Sequence, residues 1–150
     1  MKKKIVVLGF LGTNLDLGGK ARWGRWRPTI SLGQQDDLLV DRFELFYEKN
    51  FLDLAQLVQK DFQQVSPETE FNLREVVLKD PWDFQTVYSG IFDNLKDYKF
   101  DTDNEEYLVH ITTGTHVIQI CLFLLTESRH IPGKLLQTHM QKSRNPNGTY

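Results

Sequence analysis

The chain has 150 residues, a formal net charge of −2 and a hydrophobic fraction of 40%, which is the size and balance of one ordinary domain. A charge so close to zero excludes a general electrostatic attraction to nucleic acid, so any such contact needs a local basic patch. The single cysteine, Cys121, excludes an internal disulfide framework, and no stretch approaches the roughly 20 apolar residues of a membrane span. A soluble cytoplasmic protein without membrane contact is predicted.

The predicted elements alternate between strands and helices. Apolar runs and alternating β-branched or aromatic residues predict strands at 5–9, 42–47, 71–78, 108–111 and 134–138. Apolar stripes at helical spacing predict helices at 29–35, 51–64, about 81–95 and 117–129, the third capped by Asp80 with Pro81 at its first position. This alternation predicts an α/β doubly wound, mainly parallel sheet of about five or six strands, with helices on both faces.

The domain is expected to cover residues 1–140. Residues 141–150 are polar, contain Pro146 and Gly148, and have no core pattern. They are interpreted as a tail or as the start of a linker.

The stretch from 107 to 120 is typical of an anion site. A short apolar strand leads into a small polar turn and then into an apolar helix. Free backbone N–H groups and the helix dipole favour negative charge at such a helix start. We therefore predict a phosphate or nucleotide site at Thr112, Thr113, Gly114, Thr115 and His116.

The turn after the first strand is predicted to form the opposite wall of the same pocket, at Gly12, Thr13 and Asn14. Ligand sites in doubly wound sheets lie beyond the carboxyl ends of the strands, where the strand order reverses. The turn lacks the G-x-G-x-x-G spacing of dinucleotide-binding enzymes. Gly18-Gly19-Lys20-Ala21 is not a Walker A motif, because no Ser or Thr follows the lysine, which argues against ATP hydrolysis.

A loop that interleaves arginine with tryptophan supplies a local basic patch. Guanidinium groups match phosphate oxygens, and indole faces stack on bases. Packing of the tryptophans against the body is the equally weighted alternative. The candidate RNA contacts are Arg22, Trp23, Arg25, Trp26 and Arg27.

The histidines divide by context. His116, in the first helical turn, is interpreted as a neutral donor to a base, ribose or phosphate, or as a mild acid–base group. His110, inside an apolar strand, is predicted to be a core histidine with its hydrogen bonds satisfied, and Cys121 an inert core thiol. The four histidines and the cysteine show no metal-ligand spacing, so neither a metal nor a resident cofactor is predicted.

Five separate blocks occur in order between residues 6 and 137: Trp26-Arg-Pro-Thr29, Asp41-Arg-Phe-Glu-Leu45, Val65-Ser-Pro-Glu-Thr69, Asp80-Pro-Trp-Asp-Phe84 and His110-Ile-Thr-Thr-Gly-Thr-His116. Together they resemble the N-terminal domain of the RtcR family, the regulators of the bacterial RNA-repair operon. The resemblance implies a Rossmann-like fold of the CARF class. It also implies a homodimer that binds cyclic oligoadenylate or related RNA ends at its interface.

For this family the resemblance implies a signal such as RNA with a 2′,3′-cyclic phosphate end, including tRNA fragments. Full-length members continue into an AAA+ ATPase that acts on sigma-54 RNA polymerase, and into a helix-turn-helix domain. The chain contains neither, so a sensor domain alone is expected. Many CARF motifs carry a lysine where His116 stands.

The leading hypothesis is thus a ligand-sensing regulatory domain rather than an enzyme. Two alternatives stay open at this point. One is a metal-independent ring nuclease that cleaves cyclic oligoadenylate, with His116 and Thr113 positioning the reacting groups. The other is a dimerisation module with a vestigial pocket.

Overall fold

Five parallel strands form the centre of the fold in a computed structural model that describes residues 2–13, 16–17, 19–35 and 37–138. They are β1 (Lys4–Phe10), β2 (Arg42–Glu48), β3 (Glu70–Val76), β4 (Glu105–His110) and β5 (Gly133–Leu136). The strand order is β3-β2-β1-β4-β5, so the chain winds outward from β1 in both directions. The predicted doubly wound sheet is confirmed, with every pairing parallel.

Four α-helices connect the strands: α1 (Pro28–Gly33), α2 (Leu52–Val65), α3 (Phe84–Leu95) and α4 (His116–Glu127). Short 3-10 segments cover Gly19–Gly24 and Lys49–Phe51. The predicted cap of α3 was wrong. The Asp80 carboxylate accepts the Trp82 N–H in a tight turn, whereas the Asp83 carboxylate accepts the Thr86 N–H at 2.9 Å and caps the helix.

Two apolar layers hold the sheet between the helices. Because successive strand residues face opposite ways, Val6 and Leu8 belong to the layer under α3 and α4, and Val7 belongs to the layer under α1 and α2. In the second layer Phe43 stacks on Phe71 with ring centroids 4.9 Å apart. Helices therefore cover both faces, as predicted.

The buried Cys121 packs in the α4 layer, where burial raises the pKa of its thiol to about 11. That agrees with the interpretation of an inert core thiol. Within the described ranges, no helix has the length and apolar character needed to cross a bilayer.

The strand order reverses between β1 and β4, which are neighbours in the sheet. The segments that leave their carboxyl ends run to α1 and α4 on opposite faces. The diverging segments open the sheet edge at the position where doubly wound folds bind ligands.

Candidate functional site

A cleft of about 210 Å³ lies at this edge. Its walls come from the carboxyl ends of β1 and β2, from the turn before α3 and from the start of α4. The lining residues are Phe10, Leu11, Thr13, Glu48, Phe51, Pro81, Trp82, Gly114, Thr115 and Ile118. The cleft thus joins apolar and aromatic walls with a few polar groups, the usual composition of a small-ligand site.

The start of α4 gives the cleft its electropositive wall. The Thr115 hydroxyl caps the helix by accepting the Ile118 N–H at 3.1 Å. The N–H groups of His116 and Val117 have no acceptor within the helix, because the first turn lacks preceding carbonyls. These two donors and the helix dipole favour an anion at this end of the cleft.

The loop before α4 is held in one conformation by Gln119. Its side-chain amide donates to the carbonyl of Gly114 at 3.1 Å and to that of Thr112 at 3.3 Å. Gly114 has a φ of +93°, which favours glycine because it has no Cβ. The Thr115 hydroxyl also donates to the Pro81 carbonyl at 3.0 Å, which joins this loop to the turn before α3.

Asp16 organises the opposite wall from behind. Its buried carboxylate accepts the N–H of Gly12 at 2.8 Å and both the N–H and the hydroxyl of Thr29, at 3.1 Å and 2.8 Å. Burial raises the pKa of this carboxyl, and the three donors oppose that rise. The Gly12 N–H is therefore used inside the protein, and the loop is anchored to α1.

The predicted pocket residues fall into three groups. Thr13, Gly114 and Thr115 line the cleft. Gly12 and Thr113 are buried behind it, with the Thr113 hydroxyl donating to the Phe10 carbonyl. Two further residues do not line it, since Thr112 bonds to Thr138 and His116 is exposed on the first turn of α4. The remaining predicted residue, Asn14, lies outside the described residues.

The loop of alternating arginine and tryptophan is anchored to α2. Arg22 Nε lies 2.6 Å and Arg27 Nη1 2.7 Å from Oδ2 of Asp61, whose side chain is fully buried. Although burial opposes it, these hydrogen bonds hold the pKa of Asp61 below its usual value. Trp23 lies 5.0 Å from the Arg27 guanidinium, and Trp23 and Arg25 are exposed. The loop therefore has an anchored side and a solvent side.

His110 occupies the core, as predicted, but with only one of its ring nitrogens bonded. Its Nε2 lies 2.8 Å from the Thr138 hydroxyl, and its buried Nδ1 has no partner among the described residues. Burial lowers the pKa of the imidazole to about 4, so the ring is neutral near pH 7.

Several lining residues were missed by reasoning from sequence. Glu48, Phe51 and Trp82 come from β2 and from the turns that follow β2 and β3. The signal that could have found Glu48 is its position at the carboxyl end of a predicted strand next to β1. Gln119 carried no such signal, because its contacts depend on the folded loop. No group of His, Cys, Asp and Glu able to hold a metal ion occurs in the described part of the chain.

Comparison with known sequences gives two findings. The family described as RtcR, regulator of RNA terminal phosphate cyclase, matches residues 3–150. The transcriptional regulatory protein RtcR of Escherichia coli (strain K12) is 45% identical over 149 residues, which is 97% of this chain and 28% of that protein. The chain thus spans a little over a quarter of this relative.

Two solved structures share the fold. Enterococcus italicus Csm6 bound to cyclic hexa-2′-fluoro-hexa-dAMP superposes with a TM-score of 0.69 at 16% identity, covering 99% of this chain and 36% of Csm6. Can2 from Sulfobacillus thermosulfidooxidans in complex with cyclic tetra-adenylate superposes with a TM-score of 0.59 at 17% identity, covering 90% of this chain and 32% of Can2. The Rossmann-like fold that the resemblance implied is confirmed, and from its sequence the chain belongs to the RtcR family of regulators of RNA terminal phosphate cyclase.

Proposed function

We propose that the chain is a ligand-sensing domain of an RtcR-type transcriptional regulator of RNA repair, and that its cleft binds an RNA terminus or cyclic oligoadenylate. The observation that carries the proposal is the cleft at the strand-order reversal, with the start of α4 as one wall. Membership of the RtcR family supports a regulatory role, and the cyclic oligoadenylates named with Csm6 and Can2 support the ligand class.

The phosphate of the ligand lies at the start of α4 in this proposal. The N–H groups of His116 and Val117 donate to its oxygens, and the exposed imidazole of His116 adds a donor at the rim. Thr13 and Thr115 border the same space. Thr112, Thr113 and Gly12 act indirectly, by holding the two loops that shape the cleft.

The loop around Trp23 supplies the contact to a longer RNA. Arg22 and Arg27 orient the loop through Asp61, and Trp23 on its exposed side stacks on bases, with Arg25 on the same side of the loop. Trp26 is half-buried and adds to the same surface.

A homodimer completes the site. The cleft of about 210 Å³ is smaller than the roughly 300 Å³ at which ligand pockets begin, so one copy encloses only part of a cyclic oligonucleotide. Beside the cleft, α4 exposes the apolar side chains of Ile120, Phe123 and Leu124, which are 51%, 43% and 39% exposed. Pairing of two α4 faces would cover this stripe and bring two clefts together.

Light scattering tests the dimer. We expect Ile120→Glu to shift the protein from dimer to monomer, because a carboxylate in an apolar interface is desolvated. Leu39→Glu, which changes an exposed aliphatic side chain in another part of the chain, is the matched control and should leave the dimer intact. A parent that is monomeric at high micromolar concentration contradicts the dimer.

In a longer regulator the sensor would act on an AAA+ ATPase and, through it, on sigma-54 RNA polymerase. For ligand to shift this output, it must bind one state of the dimer more tightly than the other. Thr112, in the loop before α4, forms hydrogen bonds with Thr138, and these connect the cleft physically to the segment after β5.

Titration calorimetry of this chain tests the ligand class. The probes are RNA ending in a 2′,3′-cyclic phosphate, the same RNA ending in hydroxyls, and cyclic tetra-adenylate. We expect micromolar or tighter binding of the first or the third, weakened by His116→Ala but not by His130→Ala, an exposed histidine in another part of the chain. Absence of binding by all three contradicts the proposal.

The same mixtures separate the other two functions. Linear product formed from cyclic tetra-adenylate without added metal identifies a ring nuclease, with the exposed His116 as the group to test first. A stable dimer that binds none of the probes identifies a dimerisation module.

A further inference from the structure

Glu48 is the acidic side chain of the cleft. It ends β2, two residues after Phe46, and therefore lies on the sheet face that α4 covers. The side chain is half-buried and makes no hydrogen bond or ion pair with any residue that the structure describes. Burial raises the pKa of its carboxyl, as expected for a desolvated carboxylate without a partner.

A carboxylate in this position constrains the ligand. It accepts hydrogen bonds and repels phosphate, whereas the start of α4 in the same cleft attracts phosphate. The part of the ligand that faces Glu48 must therefore carry a donor and no negative charge. In a nucleotide, the ribose is joined directly to the phosphate and offers a hydroxyl, while the base amino groups lie farther away.

Glu48 and the start of α4 line the same cleft from strands that are not neighbours. In dinucleotide-binding sheets a carboxylate at the end of one strand accepts the ribose 2′-hydroxyl of a nucleotide whose phosphate lies at the start of the helix after the neighbouring strand. Here α4 follows β4, and β1 lies between β4 and β2, so a ligand that reaches both must span the end of β1, where Phe10 and Leu11 line the cleft. Trp82 lines the cleft with 65% of its surface exposed, which leaves an aromatic face for the base.

We propose that Glu48 determines specificity by accepting a hydrogen bond from the 2′-hydroxyl of the ribose whose phosphate lies at the start of α4. The cleft then selects ribonucleotides over analogues that lack this donor. The inference rests on the proposed function, since it assigns the sugar end of the same site.

The test compares cyclic tetra-adenylate, in which every ribose keeps its 2′-hydroxyl, with its 2′-fluoro counterpart, each titrated into the parent, Glu48→Gln and Glu48→Ala. Fluorine removes the hydrogen-bond donor from each ribose. We expect the parent to bind the ribose probe about 10-fold or more tightly than the fluoro probe, because the fluoro probe cannot form one charge-assisted hydrogen bond. The preference should shrink in Glu48→Gln and disappear in Glu48→Ala.

Glu75→Ala, which removes an exposed carboxylate of β3 outside the cleft, is the matched control and should keep the preference. Urea unfolding of each variant confirms that it is folded. Equal binding of both probes by the parent, or an unchanged preference in Glu48→Ala, overturns the role of Glu48 and leaves the sensor function standing. Failure of the parent to bind cyclic tetra-adenylate overturns the role of Glu48, and failure to bind RNA ending in a 2′,3′-cyclic phosphate as well overturns the sensor function.

Discussion

The hydroxyl of Thr112 accepts a hydrogen bond from the backbone N–H of Thr138 at 2.7 Å, so the loop before α4 is tied directly to the segment after β5. The same hydroxyl lies 3.2 Å from the Thr138 carbonyl, and His110 Nε2 lies 2.8 Å from the Thr138 hydroxyl. Three contacts thus converge on one residue. A displacement of the loop before α4 would therefore also displace Thr138.

Thr112→Val tests this tie while keeping the β-branched shape. Removal of the hydroxyl leaves the Thr138 N–H without its acceptor, and the free energy of unfolding should fall by about 1 kcal/mol. Hydrogen exchange of the Thr138 amide should accelerate about 5-fold, because a loss of about 1 kcal/mol raises the equilibrium constant for local opening by that factor.

Thr102→Val changes a threonine in an exposed turn and is the matched control. It should alter the unfolding free energy by no more than about 0.5 kcal/mol. An unchanged exchange rate at Thr138 in Thr112→Val would show that the tie does not order this segment.

His110 makes stability depend on pH. Its pKa is lowered to about 4 in the folded chain, against about 6.5 when unfolded, so the unfolded state binds more protons between these values. Stability is therefore complete above about pH 6.5 and is lost as the pH falls toward 4. From pH 7 to pH 5 the expected loss is about 2 kcal/mol, measured by urea unfolding at each pH.

His110→Gln, which cannot titrate, should remove this part of the pH dependence. His130→Gln changes an exposed histidine and should retain the dependence of the parent, because His110 is still present. Identical pH profiles for the parent and His110→Gln would contradict the assignment to the buried imidazole.

Asp61 joins the arginine and tryptophan loop to α2. In Asp61→Asn the guanidinium of Arg27, with its side chain 1% exposed, stays buried without its carboxylate. Loss of one partner of a buried pair costs about 3 kcal/mol, measurable as a lower urea midpoint.

A second substitution separates charge from packing. Asp61→Asn combined with Arg27→Gln should recover part of the loss, because the almost fully buried charge of Arg27 is then removed together with its partner. Asp97→Asn, at an exposed position, is the control and should be close to neutral. A double variant less stable than Asp61→Asn alone would show that Arg27 contributes by packing.

Local pattern was sufficient to predict the β-strands and α-helices of the described residues and the sheet edge that carries the cleft, but not the 3-10 segments Gly19–Gly24 and Lys49–Phe51. The rule that sites follow the carboxyl ends of strands led to Thr13, Gly114 and Thr115, which line the cleft. The same rule applied to β2 would have led to Glu48, but the predicted strand ended one residue earlier.

Contacts between distant residues could not be predicted. Arg27 and Asp61 are 34 positions apart, and neither residue type in its local context indicates a buried pair. The cap of α3 failed for a local reason, since Asp80 and Asp83 are both suitable caps. The Asp80 carboxylate accepts the Trp82 N–H and closes a tight turn, so Asp83 is the residue that caps the helix.

Gly114→Ala tests the conformation of the loop at the cleft. An alanine at this position would have to adopt a φ of +93°. Its Cβ would lie 2.9 Å from Cγ2 and 3.2 Å from Cβ of Ile118. Both the backbone strain and the contact oppose the native loop, so the free energy of unfolding should fall by about 2 kcal/mol. Because the loop forms one wall of the cleft, affinity for the probe that the parent binds should fall about 10-fold or more.

Gly24→Ala is the matched control, since a Cβ there meets nothing within 4 Å. It should change stability by no more than about 0.5 kcal/mol and leave affinity unaltered. Ile118→Ala removes Cγ2, the atom nearest the new Cβ, and leaves the φ unchanged, so the cost of Gly114→Ala measured in the Ile118→Ala background separates contact from backbone strain. A Gly114→Ala chain as stable as the parent, with the same affinity, would contradict the requirement for glycine at the cleft.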